Sequence, residues 1–240
     1  MLDNKKELLY EGMRNIGIEL SSDQFEQFNN YYNLMIEKNK VMNLTAITNY
    51  EDVVIKHFVD SVSIVKVMDM SKINSLIDIG TGAGFPGLPI KIVFSHIQVV
   101  LLDSLNKRIN FLNEVIDSLT LQRVNTLHAR AEDYSRDDKY REQFDICVSR
   151  AVANLSTLSE YCLPYVKVGG CFVSYKSEKG NDEVMTAQKG IKLLGGKIKN
   201  QTEFTLPGSD IHRNLIVIEK IKSTPPFYPR KAGIPSKEPL

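Results

Sequence analysis

Apolar positions in residues 1–70 recur at helical spacing, whereas from Ser75 onward they gather into short runs separated by amphipathic stretches. Leu8, Leu9, Met13 and Ile16 mark one helical face. Phe25, Phe28, Tyr32, Met35 and Ile36 mark a second, behind the cap candidates Ser21 and Ser22. Thr48 and Glu51 have the spacing of a capping box, so a third helix is expected from Thr48, with Val53, Val54, Phe58, Val62 and Val65 along one side. Strands are expected at 75–80, 97–102, 124–128, 144–149 and 171–175, with helices at about 86–94, 105–119 and 155–167 between them. Gly169-Gly170 is expected to turn the chain from helix into the strand at Cys171. Two extended segments, Thr202 to Leu206 and Asn214 to Lys220, close the pattern across the loop Pro207-Gly208-Ser209-Asp210.

This alternation predicts an α/β fold, a Rossmann-like, seven-stranded mixed sheet whose terminal pair forms an antiparallel edge. Residues 1–70 are expected to form an N-terminal helical cap packed on the core, 71–222 the α/β domain and 223–240 a tail. There is no internal repeat and no long linker.

The first predicted strand runs into Asp78-Ile79-Gly80-Thr81-Gly82-Ala83-Gly84-Phe85-Pro86-Gly87. Glycines let the backbone reach positive φ and let a ligand touch main chain, and Pro86 suits a helix start because it has no donor to leave unpaired. Strand, glycine loop and helix start open a nucleotide-type site at the carboxyl ends of the strands. Two cofactors fit the spacing. Gly82, Gly84 and Gly87 spell the dinucleotide pattern of NAD enzymes, while Gly80, Gly82 and Gly84 spell the loop of S-adenosylmethionine enzymes. Asp78 favours the second, since its carboxylate would repel a pyrophosphate and attract the ammonium of a methionine moiety. The next strand ends at Asp103, about twenty residues on, where a carboxylate pairs with ribose hydroxyls; a helix N-cap is the competing role.

Composition narrows the class. The 240 residues carry a formal net charge of +1, so no global field argues for nucleic acid. Cys147, Cys162 and Cys171 form no C-x-x-C pair and point to a reducing, cytoplasmic setting. The four histidines have no metal-ligand spacing, so no metal is expected. Neither a membrane span nor a signal peptide is visible, and a soluble monomer is expected.

Three further places carry candidate chemistry. In Ala129-Arg130-Ala131-Glu132-Asp133 a carboxylate could accept from the exocyclic amine of adenine, or simply face solvent. Arg150, at the end of the fourth strand, would face the pocket and bind an anion, either the cofactor carboxylate or an RNA phosphate. That strand end reads Ser149-Arg150-Ala151 and has no Asn/Asp-Pro-Pro-Tyr/Phe motif of amino-group methyltransferases. A ring nitrogen such as guanine N7 attacks a sulfonium methyl through a free lone pair and needs positioning more than a general base. Such a target in RNA has to be looped or splayed out. In the tail, Lys220, Lys222, Arg230, Lys231 and Lys237 surround Phe227 and Tyr228; this suits RNA contact or a disordered end.

His57-Phe58-Val59-Asp60-Ser61, the run Asp78 to Pro89, Leu102-Asp103-Ser104 with Lys107-Arg108, Ser149-Arg150-Ala151, and Tyr228-Pro229-Arg230-Lys231 with Gly233, Pro235 and Pro239-Leu240 together resemble the small-subunit ribosomal RNA methyltransferase G family, also called glucose-inhibited division protein B. The resemblance implies a class I S-adenosylmethionine methyltransferase fold. It also implies guanine N7 methylation in the decoding-region (530) loop of 16S rRNA, on the RNA or the 30S ribosomal particle. Carried onto this chain, it places Gly80 and Phe85 at the cofactor, where the loop spacing also puts Gly82, with Ala131 and Glu132 at the adenine side, Arg150 closing the pocket and Asp103 at the ribose position of the wider fold. Lys176, Arg213, Arg230 and Lys231 are similar to RNA or active-site contacts. Ser177 and Ala232 depart from the family pattern. A small-molecule methyltransferase and a non-catalytic RNA-binding or regulatory protein are the alternatives. His57 and Asp60, three apart on one helix, are expected to anchor the cap helices to the core.

Overall fold

Successive residues of a strand face opposite ways, and this period of two sorts the core into two layers. In β1 (Ser75–Ile79) Leu76 faces one layer and Ile77 and Ile79 the other; in β2 (Gln98–Asp103) Val99 and Leu101 oppose Val100 and Leu102. The computed structural model describes residues 2–150, 153–177 and 180–240. Its remaining strands are β3 (Val124–His128), β4 (Phe144–Arg150), β5 (Val166–Lys176), β6 (Gly196–Thr205) and β7 (His212–Lys220). They form one sheet in the order β3-β2-β1-β4-β5-β7-β6, parallel except that β7 runs antiparallel to both neighbours. Strand order reverses between β1 and β4, and the crevice at that switch point is where an α/β sheet takes its ligand.

Helices cover both faces. Apolar residues of α1 (Leu2–Arg14), α2 (Ser22–Met42), α5 (Gly87–Val93) and α6 (Asn106–Ser118) fill the first layer; those of α8 (Leu155–Cys162) and α9 (Gly180–Leu193) fill the second. Phe25, Phe28, Tyr31 and Met35 of α2 are buried in the same layer as β1 and β2. The N-terminal helices therefore complete one face of the sandwich. Tyr31, not Tyr32, is the fully buried member of that stripe.

Between α2 and β1 the chain makes a composite helix: α3 (Tyr50–Val53), a π-helical stretch Val54–Val59, α4 (Asp60–Val62) and a 3-10 turn Ser63–Lys66. Its cap differs from the expected one. Asn49, not Thr48, accepts the Glu51 N–H at 2.9 Å, because an Asx side chain reaches the N2 donor from the residue next to the helix.

Two other expectations are corrected. After α8 the chain passes through a 3-10 turn at Leu163–Tyr165 and enters β5 at Val166, so Gly169 and Gly170 lie inside the strand. They sit where its pairing with β4 shifts register between Phe144 and Ile146. A Cβ on Gly170 would collide with the Asp145 carbonyl; a glycine pair marks a strand bulge as readily as a turn. Helix α9 went unpredicted, although Val184, Ala187, Ile191 and Leu194 carry its apolar spacing.

The tail is packed. Arg141 donates to the carbonyls of Thr224, Pro225 and Tyr228, and Tyr228 is buried in the second layer. The short helices α7 (Ala131–Tyr134) and α10 (Ile234–Lys237) lie on α8. Among the described residues no helix is long and apolar enough to cross a membrane.

Candidate active site

The glycine loop is held shut from inside. Asp78 is fully buried, and its Oδ2 accepts the Thr81 hydroxyl at 2.7 Å and the Gly87 N–H at 2.8 Å, tying β1 to the start of α5. Burial raises its pKa to about 7, although both hydrogen bonds and the charge of Arg150 pull it back. The sequence pointed this carboxylate at a ligand ammonium, but its partners are within the loop. Its second oxygen, Oδ1, is buried without a partner.

Gly82 opens to the other side. Its φ is +63°, a Cβ there would meet nothing within 4 Å, and its N–H donates to Asp103 Oδ2 at 2.9 Å. Asp103 also accepts from the Leu105 N–H and from Arg108, so it serves the turn into α6 as well as the loop. A carboxylate has about four acceptor sites, which leaves one for a ribose hydroxyl. Open backbone at Gly82 and the Asp103 carboxylate at a strand end, both lining the cavity, fit an adenosyl amino acid.

The loop borders a cavity of about 920 Å³ at the sheet's switch point. Phe85 stacks between His57, with centroids 4.5 Å apart, and Tyr31 at 5.4 Å, and the Arg150 guanidinium lies 5.2 Å over its ring. The Tyr31 hydroxyl donates to the Ala83 carbonyl, which clamps the loop from α2. His57 Nδ1 lies 3.2 Å from the Lys56 carbonyl and 3.5 Å from Arg150 Nη2, and its Nε2 lies 2.9 Å from the Thr45 hydroxyl, so both ring nitrogens have partners. Burial first, then Arg150, lowers the His57 pKa to about 3. The ring is neutral and a weak base.

Opposite the loop, Asp60 is 1% exposed and takes two arginines: Arg150 Nη1 at 2.9 Å and Arg213 Nε at 3.0 Å. Asp60 thereby links the composite helix to β4 and β7, and both His57 and Asp60 line the cavity. The π-helical turn, a feature frequent at functional sites, precedes Asp60 directly. Lys176 pairs with Glu183 at 2.8 Å and donates to the Ala153 carbonyl.

Of the residues singled out from sequence, Gly80, Gly82, Phe85, Asp103, Arg150, Lys176 and Arg213 meet at this cavity. The other four do not line it. The Ala131 carbonyl accepts the Tyr165 hydroxyl, and Glu132 accepts the Gly233 N–H of the tail at 3.0 Å. Arg230 is clasped by the fully buried Glu160 through its own N–H, Nε and Nη2, and Lys231 is exposed nearby. Ser177 borders the cavity, Ala232 is exposed in the tail, and Ala151 lies outside the described residues. Sequence reasoning missed Tyr31, Thr45 and Tyr175. Tyr31 had a signal, three residues after Phe28; the other two reach the cavity through tertiary packing alone.

Fold and site together define a class I S-adenosylmethionine-dependent methyltransferase. P. horikoshii TYW2, solved in complex with MeSAdo, shares the fold with a TM-score of 0.52 at 16% identity, over 68% of this chain and 61% of its own. The O-MT segment of StiE shares it with a TM-score of 0.51 at 13% identity, over 67% and 72%. The family model for rRNA small subunit methyltransferase G matches residues 24–215. The Ribosomal RNA small subunit methyltransferase G of Lachnoclostridium phytofermentans is 52% identical over 96% of this chain and 95% of its own. That of Acetivibrio thermocellus is 52% identical over 98% and 96%. The chain belongs to the rRNA small subunit methyltransferase G family.

Proposed function

We propose that this chain transfers the methyl group of S-adenosylmethionine to N7 of a guanine in the decoding-region loop of 16S rRNA, acting in the cytoplasm as a monomer on the RNA or the 30S particle. The observation that carries the choice of nitrogen is that, among the described residues lining the cavity, no base is free. Asp60, Asp103 and Glu183 are each in ion pairs, and His57 is held neutral with its Nε2 occupied by Thr45. An exocyclic amine or a ribose hydroxyl loses a proton on methylation, whereas N7 brings a free lone pair. The cofactor supplies an electrophilic methyl on a sulfonium; the protein's part is alignment and exclusion of water.

In this reading Gly80 and Gly82 bring main chain to the cofactor, Asp103 accepts from its ribose, Phe85 walls the methyl-bearing end, and Arg150 closes the pocket. Ala131 and Glu132 mark the adenine side, with Glu132 already tied to the tail. Buried, unpaired Cys147, Cys162 and Cys171 suit a reducing compartment. The experiment is methyl transfer from labelled S-adenosylmethionine to 16S rRNA and 30S particles from cells lacking the protein, followed by nucleoside mapping. Label as 7-methylguanosine at one loop position is the expected result; label at another atom, or none on either substrate, overturns it. Light scattering on the purified chain checks the monomer.

A further inference from the structure

Among the described residues, five lysine and arginine side chains line the cavity, and three of them are matched one to one. Lys56 pairs with Asp52 at 2.6 Å, Arg108 with Asp103 at 3.2 Å and Lys176 with Glu183 at 2.8 Å. The remaining two, Arg150 and Arg213, share the single carboxylate of Asp60. Among the described residues, the surplus positive charge of the cavity lies at this arginine pair.

The pair is also ordered in space. Arg150 ends β4, which adjoins β1, and lies over Phe85 of the glycine loop. Arg213 belongs to β7, two strands further along the sheet, and its side chain is more exposed, 21% against 13%. Arg150 therefore borders the cofactor end and Arg213 the open end. Each guanidinium is a rigid fork of donors, and one fixed oxygen of Asp60 on each sets the plane in which the other donors point.

We propose that Asp60 is a positioning residue for methyl transfer, and that the guanidinium of Arg213, aimed by it, takes a backbone phosphate at the target nucleotide. This rests on the RNA reading above. A phosphate on Arg213 restores the charge balance that one carboxylate shared by two arginines leaves open. It also fixes the sugar-phosphate of the target at a set distance from the glycine loop, which is the alignment a reaction without a general base depends on. The competing anion is the cofactor's own carboxylate.

The test uses the full chain with S-adenosylmethionine and unmethylated 16S rRNA. Arg213→Gln, at a partly exposed side chain, is expected to reduce the slope of log K for RNA against log salt by about 0.7–0.9, the signature of one lost phosphate contact, while the cofactor Kd stays unchanged. Asp60→Asn is expected to keep RNA binding at least as salt-dependent as in the wild type, yet lower the single-turnover rate at saturating RNA by about 10–100-fold. Asp60→Glu recovers part of that rate. An unmoved salt slope with a raised cofactor Kd in Arg213→Gln assigns the anion to the cofactor and overturns the proposal. Wild-type turnover per folded molecule in Asp60→Asn, with only a lower Tm, overturns the positioning role. Wild-type protein that methylates no RNA sinks the functional reading itself; active wild type with variants that match it sinks this inference alone.

Discussion

Asp78 Oδ2 accepts the Gly87 N–H at 2.8 Å, so the last turn of β1 and the first turn of α5 are joined across the glycine loop by a carboxylate with no exposure to water. The glycine loop is thus braced from inside the core, and the relationship has consequences for pH.

The raised pKa of Asp78, about 7, means that the folded chain binds more protons here than the unfolded chain between about pH 4 and 7. This group's contribution to stability therefore falls as pH rises through that window. Asp78→Asn keeps an acceptor for Thr81 and Gly87 and is expected to remove that slope in urea unfolding at pH 5 and 8. Asp78→Ala leaves two buried donors unpaired and is expected to cost about 2–4 kcal/mol at either pH.

His57 has the opposite sign. Its folded pKa of about 3 lies below the ordinary 6.5, so the unfolded chain gains the proton first on acidification. The stability that neutral His57 contributes is complete above pH 6.5 and is lost as pH falls towards 3, by up to ~1.4 kcal/mol per pH unit. His57→Gln is expected to flatten the Tm profile between pH 6.5 and 4. Because Asp78 acts against it there, the measurement is best made in an Asp78→Asn background.

Two glycines of one loop separate folding from binding. Gly84 has φ +103°, and a Cβ there would lie 2.6 Å from the Tyr31 hydroxyl and 2.5 Å from Leu88. Gly84→Ala is expected to lower Tm strongly, since both backbone strain and overpacking act, each on the order of 1–3 kcal/mol. Gly82→Ala meets only open space, so its backbone strain of about 1–2 kcal/mol is the whole stability effect. Its methyl enters the cavity and is expected to weaken S-adenosylmethionine binding, read by calorimetry, far more than Tm.

Glu160 is fully buried and Arg230 is its partner through four hydrogen bonds, one from the backbone N–H. Arg230→Met strands a buried carboxylate, and a loss of about 3–5 kcal/mol is expected in chemical unfolding. Were Arg230 an RNA contact alone, Tm would hold and only RNA affinity would drop.

Local chemistry was readable along the chain wherever neighbours in sequence decide the outcome. The apolar runs around Leu76 and Val99, the glycines after Asp78 and the apolar faces of α1 and α2 announce strands, a cofactor loop and cap helices, because strand and helix periods are properties of adjacent residues. Where one local signal has two structural uses, the sequence by itself stayed ambiguous. Asn49 and Thr48 are both cap formers, and a glycine pair such as Gly169-Gly170 serves either a turn or a bulge. Only the tertiary structure decided which charges face one another. Asp60 meets Arg150 and Arg213 across 90 and 153 residues, and Arg230 meets Glu160 across 70. A buried ion pair is chosen by desolvation and distance in the folded core, and neither leaves a trace in the spacing of residues along the chain.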